Sequence, residues 1–462
     1  MQKQWRLRVE YRSRQFHNQL LKNEFTSQES LRQQRDHRLR ALLEHCYDSV
    51  LYYRNQFLER GIRRKHLRDG TILHELPVLA KSGVVAAGDQ LRAQQPMQGQ
   101  SFAGHTRTSG STGEPVVVVH SNLSFSMFTW LKQRELRWFR WRPRGSLLSI
   151  RPAVELSPQD EGESLPNGAV QNLANWPLLG DLFETGRAWG FSHTNSIDAQ
   201  AELLNSLQPD YLLMQAAGLE HLSLQALDAT ARSRLRGALA ISQTLTPAMR
   251  DQVESAMGIP VAQNYGLNEI GLVASRCPEV GRYHVHSEHC LVEIVDEQGQ
   301  VCTPGETGRL LVTGLNNSLM PLLRYDADDM AEVAADPCPC GRQLPSFDAI
   351  IGRYRRTAYL PEGTFQRWGA IQLSLGRFAR ANPGSIRQYQ AVQDDQGDFL
   401  LCIDCAEETL QALTADLRKA FVEAVAGATH PKLTLKASAQ FIGAGQRKFQ
   451  NFISAFTPEA DR

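Results

Sequence analysis

Residues 108–119 read TSGSTGEPVVVV, so a loop of small and hydroxyl-bearing residues runs directly into four consecutive valines. Glycines let such a loop approach a ligand closely, and its hydroxyl and N–H groups suit phosphate oxygens. The Gly-Lys-Ser/Thr ending of a Walker A loop is absent. The valines predict a buried strand. The loop is therefore a candidate phosphate-binding segment, with a Ser/Gly-rich surface turn as the alternative.

The chain beyond this loop alternates between strand-like and helix-like patterns. Short apolar runs at 147–150 and 211–214 predict buried strands, whereas the patterns at 195–207 and 247–257 predict helices. This alternation predicts α/β layers. From 291 to 314 two apolar runs flank a DEQGQ turn, which predicts a β-hairpin or small sheet.

The last hundred residues show a different pattern of apolar residues. An apolar run at 399–403, a helical pattern at 407–426 and a second apolar run at 432–435 predict a small α+β domain. We therefore expect a large N-terminal α/β domain over residues 1–352 and a small C-terminal domain over residues 353–462.

The charge balance constrains the partners. Fifty Lys and Arg against 49 Asp and Glu leave a net charge of +1, which argues against nucleic acid as a partner. No apolar run approaches the roughly 20 residues of a membrane span. The N-terminus shows no secretory signal, so we expect a cytoplasmic protein whose eight cysteines are reduced or metal-bound.

Two basic segments are interpreted as solvated surfaces. The first forty residues predict helices packed on the body with a wet, basic outer face, the alternative being a membrane-surface helix. The second segment favours a solvated face, with docking of CoA or a carrier protein as the alternative. Its arginines are Arg134, Arg137, Arg140, Arg142 and Arg144.

Three further segments carry chemistry. Residues 265–271 read YGLNEIG, where a glutamate after a glycine turn can hold Mg²⁺ and an aromatic ring can cover a base. Residues 324–329 read RYDADD, and a carboxylate there can accept from ribose hydroxyls. Residues 443–449 read GAGQRKF and place a lysine on a glycine-flanked loop. The alternatives are a turn with a packing tyrosine, a solvated acidic turn and an ordinary surface lysine.

In the order of these four segments the chain resembles the adenylate-forming superfamily of acyl-CoA synthetases and adenylation domains, and more closely its phenylacetate-CoA ligase and coenzyme F390 synthetase branch. The closer likeness depends on LLEHCYDSVLYYRNQF at 42–57, the Tyr-Gly-Leu-x-Glu motif and a cysteine–histidine set. It covers about residues 38–456. It implies an adenylate-forming α/β body with a β-rich subdomain and a small C-terminal lid domain.

The resemblance also implies residue roles. Catalytic contacts would come from Thr108, Glu269 as Mg²⁺ ligand, and Lys448, which contacts the carboxylate and phosphate during adenylation. Tyr265 would stack on adenine, Asp329 would bind ribose, and Arg353 would lie beside the hinge. The remaining implied ATP-binding residues are Ser109, Gly110, Ser111, Thr112 and Gly113 of the phosphate loop, Ser242 and Gln243 at the adenine and acyl pocket, and Gly266.

The implied activity is ATP-dependent conversion of a carboxylic acid to an acyl-adenylate, followed by transfer to the thiol of CoA or a carrier protein. A homodimer is also expected. Three positions depart from the family pattern. Glu114 stands where lysine is usual, and Arg355 and Arg356 replace an Asp-Asp hinge. These departures keep two alternatives open, namely transfer to an amine or hydroxyl and a non-catalytic nucleotide-binding protein.

The cysteine–histidine set predicts a structural zinc site. A Cys-Pro-Cys-Gly turn and a Cys-x6-His pair supply three soft sulfurs and one imidazole, which suit tetrahedral zinc. The alternative is a pair of reduced, packed cysteines, and His286 and His289 are competing ligands. Cys402 and Cys405 are interpreted as buried thiols. The predicted ligands are Cys277, His284, Cys338 and Cys340.

Overall fold

The computed structural model supports a mixed α/β architecture. It describes residues 15–68, 70–107, 116–152, 165–180, 182–242, 245–353, 369–371, 374–375, 378, 386, 388–425, 431–438 and 452–454. The predicted phosphate loop, Gln243 and Lys448 lie outside these residues.

The described residues contain a helical segment over 15–23, nine helices that are numbered here, and further helical residues at 369–371, 374–375 and 378. The numbered helices are α1 (Gln28–Ser49), α2 (Leu51–Glu59), α3 (Lys81–Ala87), α4 (Asn122–Trp138), α5 (Ile197–Leu207), α6 (Ala216–Ser223), α7 (Ala229–Arg234), α8 (Pro247–Met257) and α9 (Glu407–Val425). Short 3-10 helices span Arg64–Arg68, Gly70–Glu75 and Gly88–Leu91.

The strands form a two-stranded hairpin and two sheets. The hairpin is β1 (Phe102–Arg107) and β2 (Val117–Ser121). The first part of the main sheet comprises β3 (Leu147–Arg151), β4 (Val170–Leu173), β5 (Ala188–Ser192), β6 (Tyr211–Gln215), β7 (Gly237–Ile241) and β8 (Val261–Leu267). The second part comprises β9 (Gly271–Arg276), β10 (Tyr283–Val285), β11 (Cys290–Val295), β12 (Thr307–Gly314), β13 (Tyr325–Val333) and β14 (Ser346–Arg353).

The main sheet changes character at β8. Its twelve strands run in the order β11-β12-β13-β14-β10-β9-β8-β7-β6-β3-β5-β4. Strands β5, β3, β6, β7 and β8 pair in parallel, and β8 then pairs with β9 antiparallel. Ligands of open α/β sheets bind outside the carboxyl ends of parallel strands. The parallel half of the sheet meets the antiparallel half at β8. The carboxyl end of β8 is therefore a place where a ligand is expected.

Local sequence signals explain the helix boundaries. Thr246 accepts a hydrogen bond from the Met249 N–H, Pro247 occupies the first turn, and Gly258 ends α8 at φ 68°. Helix α5 begins at Ile197, two residues after the predicted start, because the Ser196 side chain caps it by accepting from Ala199 N–H. Burial of an apolar face then holds these helices on the sheet.

The C-terminal residues form a separate α+β unit, as predicted. Strands β15 (Tyr389–Gln393), β16 (Phe399–Ile403), β17 (Leu433–Ala437) and β18 (Phe452–Ser454) lie in the order β17-β16-β15-β18. Phe421 of α9 packs edge-on against Phe399 with ring centroids 5.2 Å apart. The boundary at 352/353 remains a prediction, since β14 runs across it.

Helix α1 shows the expected division of faces. Leu39, Leu42, Leu43 and Cys46 are buried, whereas four of its eight charged residues are exposed and the other four are half-buried. Burying four apolar side chains of this kind stabilises the helix although its intrinsic amphipathic pattern is weak. Among the described residues, no helix has the length and apolar character needed to cross a bilayer.

The interpretation of the second arginine segment is wrong at Arg134. Its side chain is fully buried, forms a 2.9 Å ion pair with Glu288 and contacts His286 Nδ1. Asn23 Nδ2 donates to the same carboxylate at 3.0 Å. An unpaired buried charge is costly, so the buried pair satisfies Arg134 inside the fold. The other four arginines of the series are exposed, as expected.

Candidate functional site

The end of β8 brings Tyr265 to a carboxylate of β13. The Tyr265 hydroxyl donates to Asp329 Oδ2 at 2.7 Å, and both side chains are partly buried. Gly266 follows, and a Cβ there would lie 3.1 Å from the Gly271 carbonyl oxygen of β9. Glycine therefore allows the close approach of the two strands, which orients the ring beside the carboxylate.

Glu269 lies in the turn between β8 and β9 and is held by a second tyrosine. Tyr325 of β13 donates from its hydroxyl to Glu269 Oε1 at 2.9 Å. Burial, and then the neighbouring Glu269 carboxylate, raises the pKa of Tyr325, so its hydroxyl stays protonated and remains a donor. A carboxylate oriented in this way is a suitable oxygen ligand for Mg²⁺.

The β1–β2 hairpin brings the flanks of the 108–115 loop to this turn. Arg107 pairs with Val117 at the end of the hairpin, so the loop connects the two strands there. Thr106 Oγ1 donates to the Asn268 carbonyl oxygen at 2.7 Å. The loop itself lies outside the described residues, but its anchor is fixed one residue from Glu269.

The other predicted nucleotide residues are distributed as follows. Ser242 directly follows β7, is exposed and has φ 64°, so a non-glycine residue holds a left-handed conformation at the carboxyl end of a parallel strand. The backbone of Arg353 pairs with Asp329 across β13 and β14. The structure thus brings Tyr265, Glu269 and Asp329 to one edge.

A small cavity beside Glu269 contains a buried histidine. Ser124, His289 and Asn316 line it together with Glu269. His289 Nε2 donates to the Ile270 carbonyl oxygen at 2.9 Å, and its Nδ1 lies 3.3 Å from the Asn316 amide nitrogen. Burial lowers the pKa of His289 to about 4, so the ring is neutral in the folded protein near pH 7.

Acid should destabilise the fold through His289. In the unfolded chain His289 is protonated below its ordinary pKa of 6.5, whereas in the folded protein it is protonated only below about pH 4. Stability is therefore lost as the pH falls, by about 1.4 kcal/mol per pH unit inside this window. In urea unfolding at pH 7 and pH 5, His289→Gln should lose roughly 2 kcal/mol less than wild type between the two pH values. Equal losses in both proteins would contradict this assignment.

The four predicted zinc ligands lie together. The ligand atoms of Cys277, His284, Cys338 and Cys340 are all within 4.8 Å of one another. Cys338 Sγ lies 3.9 Å from Cys277 Sγ, and Cys340 Sγ lies 3.3 Å from His284 Nε2. Tetrahedral zinc with normal Zn–S bonds would hold its sulfur ligands about 3.7 Å apart. The donor set and its spacing therefore fit a closed four-ligand zinc site.

Sheet topology assembles this cluster. Cys277 directly follows β9, His284 lies in β10, and both sulfurs of the Cys-Pro-Cys turn precede β14. Because β10 pairs with β9 on one side and β14 on the other, the three segments meet at one end of these strands. His284 Nδ1 faces the Leu344 carbonyl oxygen at 3.4 Å, which directs Nε2 into the cluster.

The competing ligands are engaged elsewhere. His286 contacts Ser275 Oγ at 3.0 Å through Nε2, and His289 faces the Glu269 cavity. Cys402 is buried and Cys405 is half-buried, and both are free thiols. Among the residues the structure describes, the only group of three or more potential ligands close enough to hold a metal is the predicted set.

Two residues that contact the candidate site at the end of β8 are not predicted from the sequence. Tyr325 lies inside the RYDADD segment, but alternation along β13 gives no indication that its hydroxyl meets Glu269 56 residues away. Thr106 precedes the phosphate loop, and its bond to Asn268 joins residues separated by 162 positions. Only its position just before the glycine-rich loop could have indicated Thr106.

Comparison with known proteins gives a consistent picture. The family model described as AMP-binding enzyme matches residues 31–320. The phenylacetate-coenzyme A ligase of Thermus thermophilus is 26% identical over 338 residues, covering 70% of this chain and 71% of the relative. The enzyme of the same name from Escherichia coli K12 is 26% identical over 339 residues, covering 71% and 72%.

Solved structures resemble the whole architecture. A 2-hydroxyisobutyryl-CoA ligase in the postadenylation state, in complex with R3-HIB-AMP, has a TM-score of 0.67 at 15% identity and covers 94% of this chain and 91% of that one. An open conformation of this ligase with 2-HIB-AMP and CoA has a TM-score of 0.60, with 90% of each chain covered. At this identity the likeness shows the fold, and it confirms the predicted α/β class with a C-terminal α+β unit.

Proposed function

Since this chain belongs to the family of AMP-binding enzymes, we propose that it activates a carboxylic acid with ATP and transfers the acyl group to the thiol of CoA. The observation that carries the proposal is the convergence of two tyrosine–carboxylate pairs at the end of β8, Tyr265–Asp329 and Tyr325–Glu269. The strands flanking the predicted phosphate loop end beside them. Relatives named phenylacetate-coenzyme A ligase support the same reaction class.

The binding roles follow from the chemistry of each group. Asp329 accepts from the ribose hydroxyls, and Tyr265, oriented by its bond to that carboxylate, covers the adenine face. Ser242 and Gln243 line the adenine and acyl pocket, and Arg353 contacts the nucleotide near the hinge. The loop from Thr108 to Gly113 donates hydroxyl and N–H groups to the phosphates.

In the first half-reaction a carboxylate oxygen attacks the α-phosphorus of ATP. The bond to the bridging oxygen breaks, and pyrophosphate leaves with the electron pair. Glu269 would hold Mg²⁺, which neutralises phosphate charge when bound. Lys448 stabilises charge that builds in the transition state, and the remaining contribution is positioning.

In the second half-reaction the CoA thiolate attacks the acyl carbonyl, and AMP leaves. Arg355 and Arg356, at the hinge positions, favour a second candidate in which an amine or hydroxyl accepts the acyl group. The two candidates share the adenylation step and differ only in the acceptor. A carrier-protein thiol would satisfy the first candidate equally well.

We further propose that Cys277, His284, Cys338 and Cys340 bind a structural zinc ion. Four protein ligands leave no open position for a reacting water, so the ion would stabilise the fold. Burial raises the pKa of the Cys340 thiol, but hydrogen bonds from the Arg342 backbone and guanidinium contribute to lowering it below its ordinary value, so Arg342 supports the site. A cation at this position offsets the excess negative charge of three thiolates around Zn²⁺.

Pyrophosphate exchange tests the adenylation step directly. Wild-type protein with ATP, Mg²⁺ and a panel of aryl, fatty and amino acids should exchange labelled pyrophosphate into ATP with at least one acid. Asp329→Ala should weaken ATP binding by about tenfold or more, because ribose hydroxyls lose a charged acceptor. CoA should then convert the adenylate to a thioester. If no acid supports exchange, the result would favour a non-catalytic nucleotide-binding protein.

A further inference from the structure

A chain of hydrogen bonds crosses beneath the β1–β2 hairpin. Ser124 Oγ at the start of α4 lies 3.2 Å from His120 Nδ1, and His120 Nε2 lies 2.8 Å from Thr106 Oγ1. Thr106 Oγ1 lies 2.7 Å from the carbonyl oxygen of Asn268. The chain therefore connects both strands of the hairpin, helix α4 and the turn that carries Glu269.

The acceptor at one end fixes the direction of the chain. The Asn268 carbonyl can only accept, so it takes the one hydrogen of the Thr106 hydroxyl. Thr106 must then accept from His120, which places the imidazole proton on Nε2. In the neutral ring Nδ1 is an acceptor, and the Ser124 hydroxyl is the donor to it. Every hydrogen in the chain is thereby assigned.

The surroundings of His120 favour this neutral form. Its side chain is 3% exposed, and its ring stacks on Phe125 with centroids 5.1 Å apart. Burial lowers the pKa of His120, although the Asn268 backbone opposes this change. A neutral ring with a single tautomer fixes the position of Thr106 relative to Ser124 through hydrogen bonds of 2.8 Å and 3.2 Å.

The chain joins two segments that the proposed reaction must align. Thr106 lies two residues before the phosphate loop, and Asn268 directly precedes Glu269. We propose that His120 is a positioning residue, which as the Nε2–H tautomer holds Thr106 at a fixed distance from Asn268, the residue beside Glu269. This inference depends on the proposed function, because it concerns the alignment of ATP phosphates with the group that would hold Mg²⁺.

Two pairs of substitutions separate positioning from folding. The Gln amide nitrogen can occupy the place of Nε2, whereas the shorter Asn places its nitrogen near Nδ1, so His120→Gln should keep the bond to Thr106 and His120→Asn should lose it. Thr106→Ser retains the hydroxyl, and Thr106→Val removes it at nearly constant shape. His120→Gln and His120→Asn both replace the ring by an amide, whereas Thr106→Ser loses a methyl group that Thr106→Val keeps, so loss of packing alone would affect Thr106→Ser more than Thr106→Val.

In pyrophosphate exchange, His120→Asn and Thr106→Val should lower kcat by about tenfold, the scale of one lost hydrogen bond in the transition state. His120→Gln and Thr106→Ser should stay within about twofold of wild type. Melting temperatures within each pair should agree to within a few degrees, because one hydrogen bond contributes only about 1 kcal/mol to stability. The inference is overturned if His120→Asn retains the wild-type kcat, or if losses in all four variants follow their melting temperatures.

A second measurement requires no activity. With ¹⁵N-histidine labelling, the His120 resonances, assigned by their disappearance in His120→Gln, should show the Nε2–H tautomer near pH 7 and should shift in Thr106→Val. An Nδ1–H tautomer would overturn the inference whatever the kinetics show. The wild-type protein could show the expected tautomer and shift and yet exchange pyrophosphate with no acid. That result would count against the proposed function but would still establish the hydrogen bonds from Ser124 to Asn268.

Discussion

Replacing Cys338 and Cys340 together by serine should remove about one equivalent of bound zinc, the stoichiometry of a single closed site. The melting temperature should fall by about 10 °C, because a metal that binds only the folded state stabilises it. The loss should be large since the cluster ties the β9–β10 hairpin to the turn before β14. Metal analysis of protein purified without added zinc, followed by thermal unfolding, measures both quantities.

The matched control is the other cysteine pair. Cys402→Ser with Cys405→Ser also removes two thiols, but these residues lie at the end of β16 among the C-terminal elements. This variant should retain its zinc, and any change in stability should be that of altered packing alone. A metal-free wild-type protein, or an unchanged melting temperature in the first variant, would contradict the site.

The ligand set shows what sequence spacing can reveal. The Cys-Pro-Cys turn and the Cys-x6-His pair indicate the donor types, because three thiolates and one imidazole suit tetrahedral zinc. Their meeting requires β10 to lie between β9 and β14, an arrangement that joins Cys277 to Cys338 across 61 positions. No local pattern encodes that strand order, so the sequence predicts the chemistry of the cluster without its geometry.

Arg134 illustrates the opposite case. A series of arginines around a helix end has the spacing of a solvated face, and four of the five arginines are exposed. Arg134 differs because Glu288, 154 positions away, and the Leu20 carbonyl oxygen reach it inside the fold. A charge is buried where partners from distant segments pair with it, and periodicity within one helix gives no information about those partners.

The candidate site at the end of β8 was predicted in part. The alternation of strands and helices predicts the parallel half of the sheet, and the family match confirms the resemblance that assigned Tyr265, Glu269 and Asp329. Their individual roles remain predictions. The tyrosine that holds Glu269 and the histidine chain under the hairpin were not predicted, because each bond joins a strand to a turn formed elsewhere.

Substitution of Lys448 should distinguish a working enzyme from a protein that only binds nucleotide. Its assignment comes from the GAGQRKF segment, which lies outside the described residues, and from the resemblance. The proposed lysine contact is made on the α-phosphate as negative charge builds there. Binding of ATP by the large domain should hardly require that contact, because Tyr265, Glu269 and Asp329 all lie before residue 352.

Lys448→Ala should therefore slow pyrophosphate exchange by about a hundredfold, the usual scale for losing one preorganised electrostatic contact. ATP affinity should stay nearly unchanged, as expected for an interaction made mainly in the transition state. Lys436→Ala removes an exposed lysine from β17 of the same unit and should exchange like wild type. A synthetic acyl-adenylate should still pass to its acceptor in Lys448→Ala, because the thioester step does not use this contact. Exchange at the wild-type rate in that variant would refute the assignment, and loss of ATP affinity would place the lysine in ground-state binding instead.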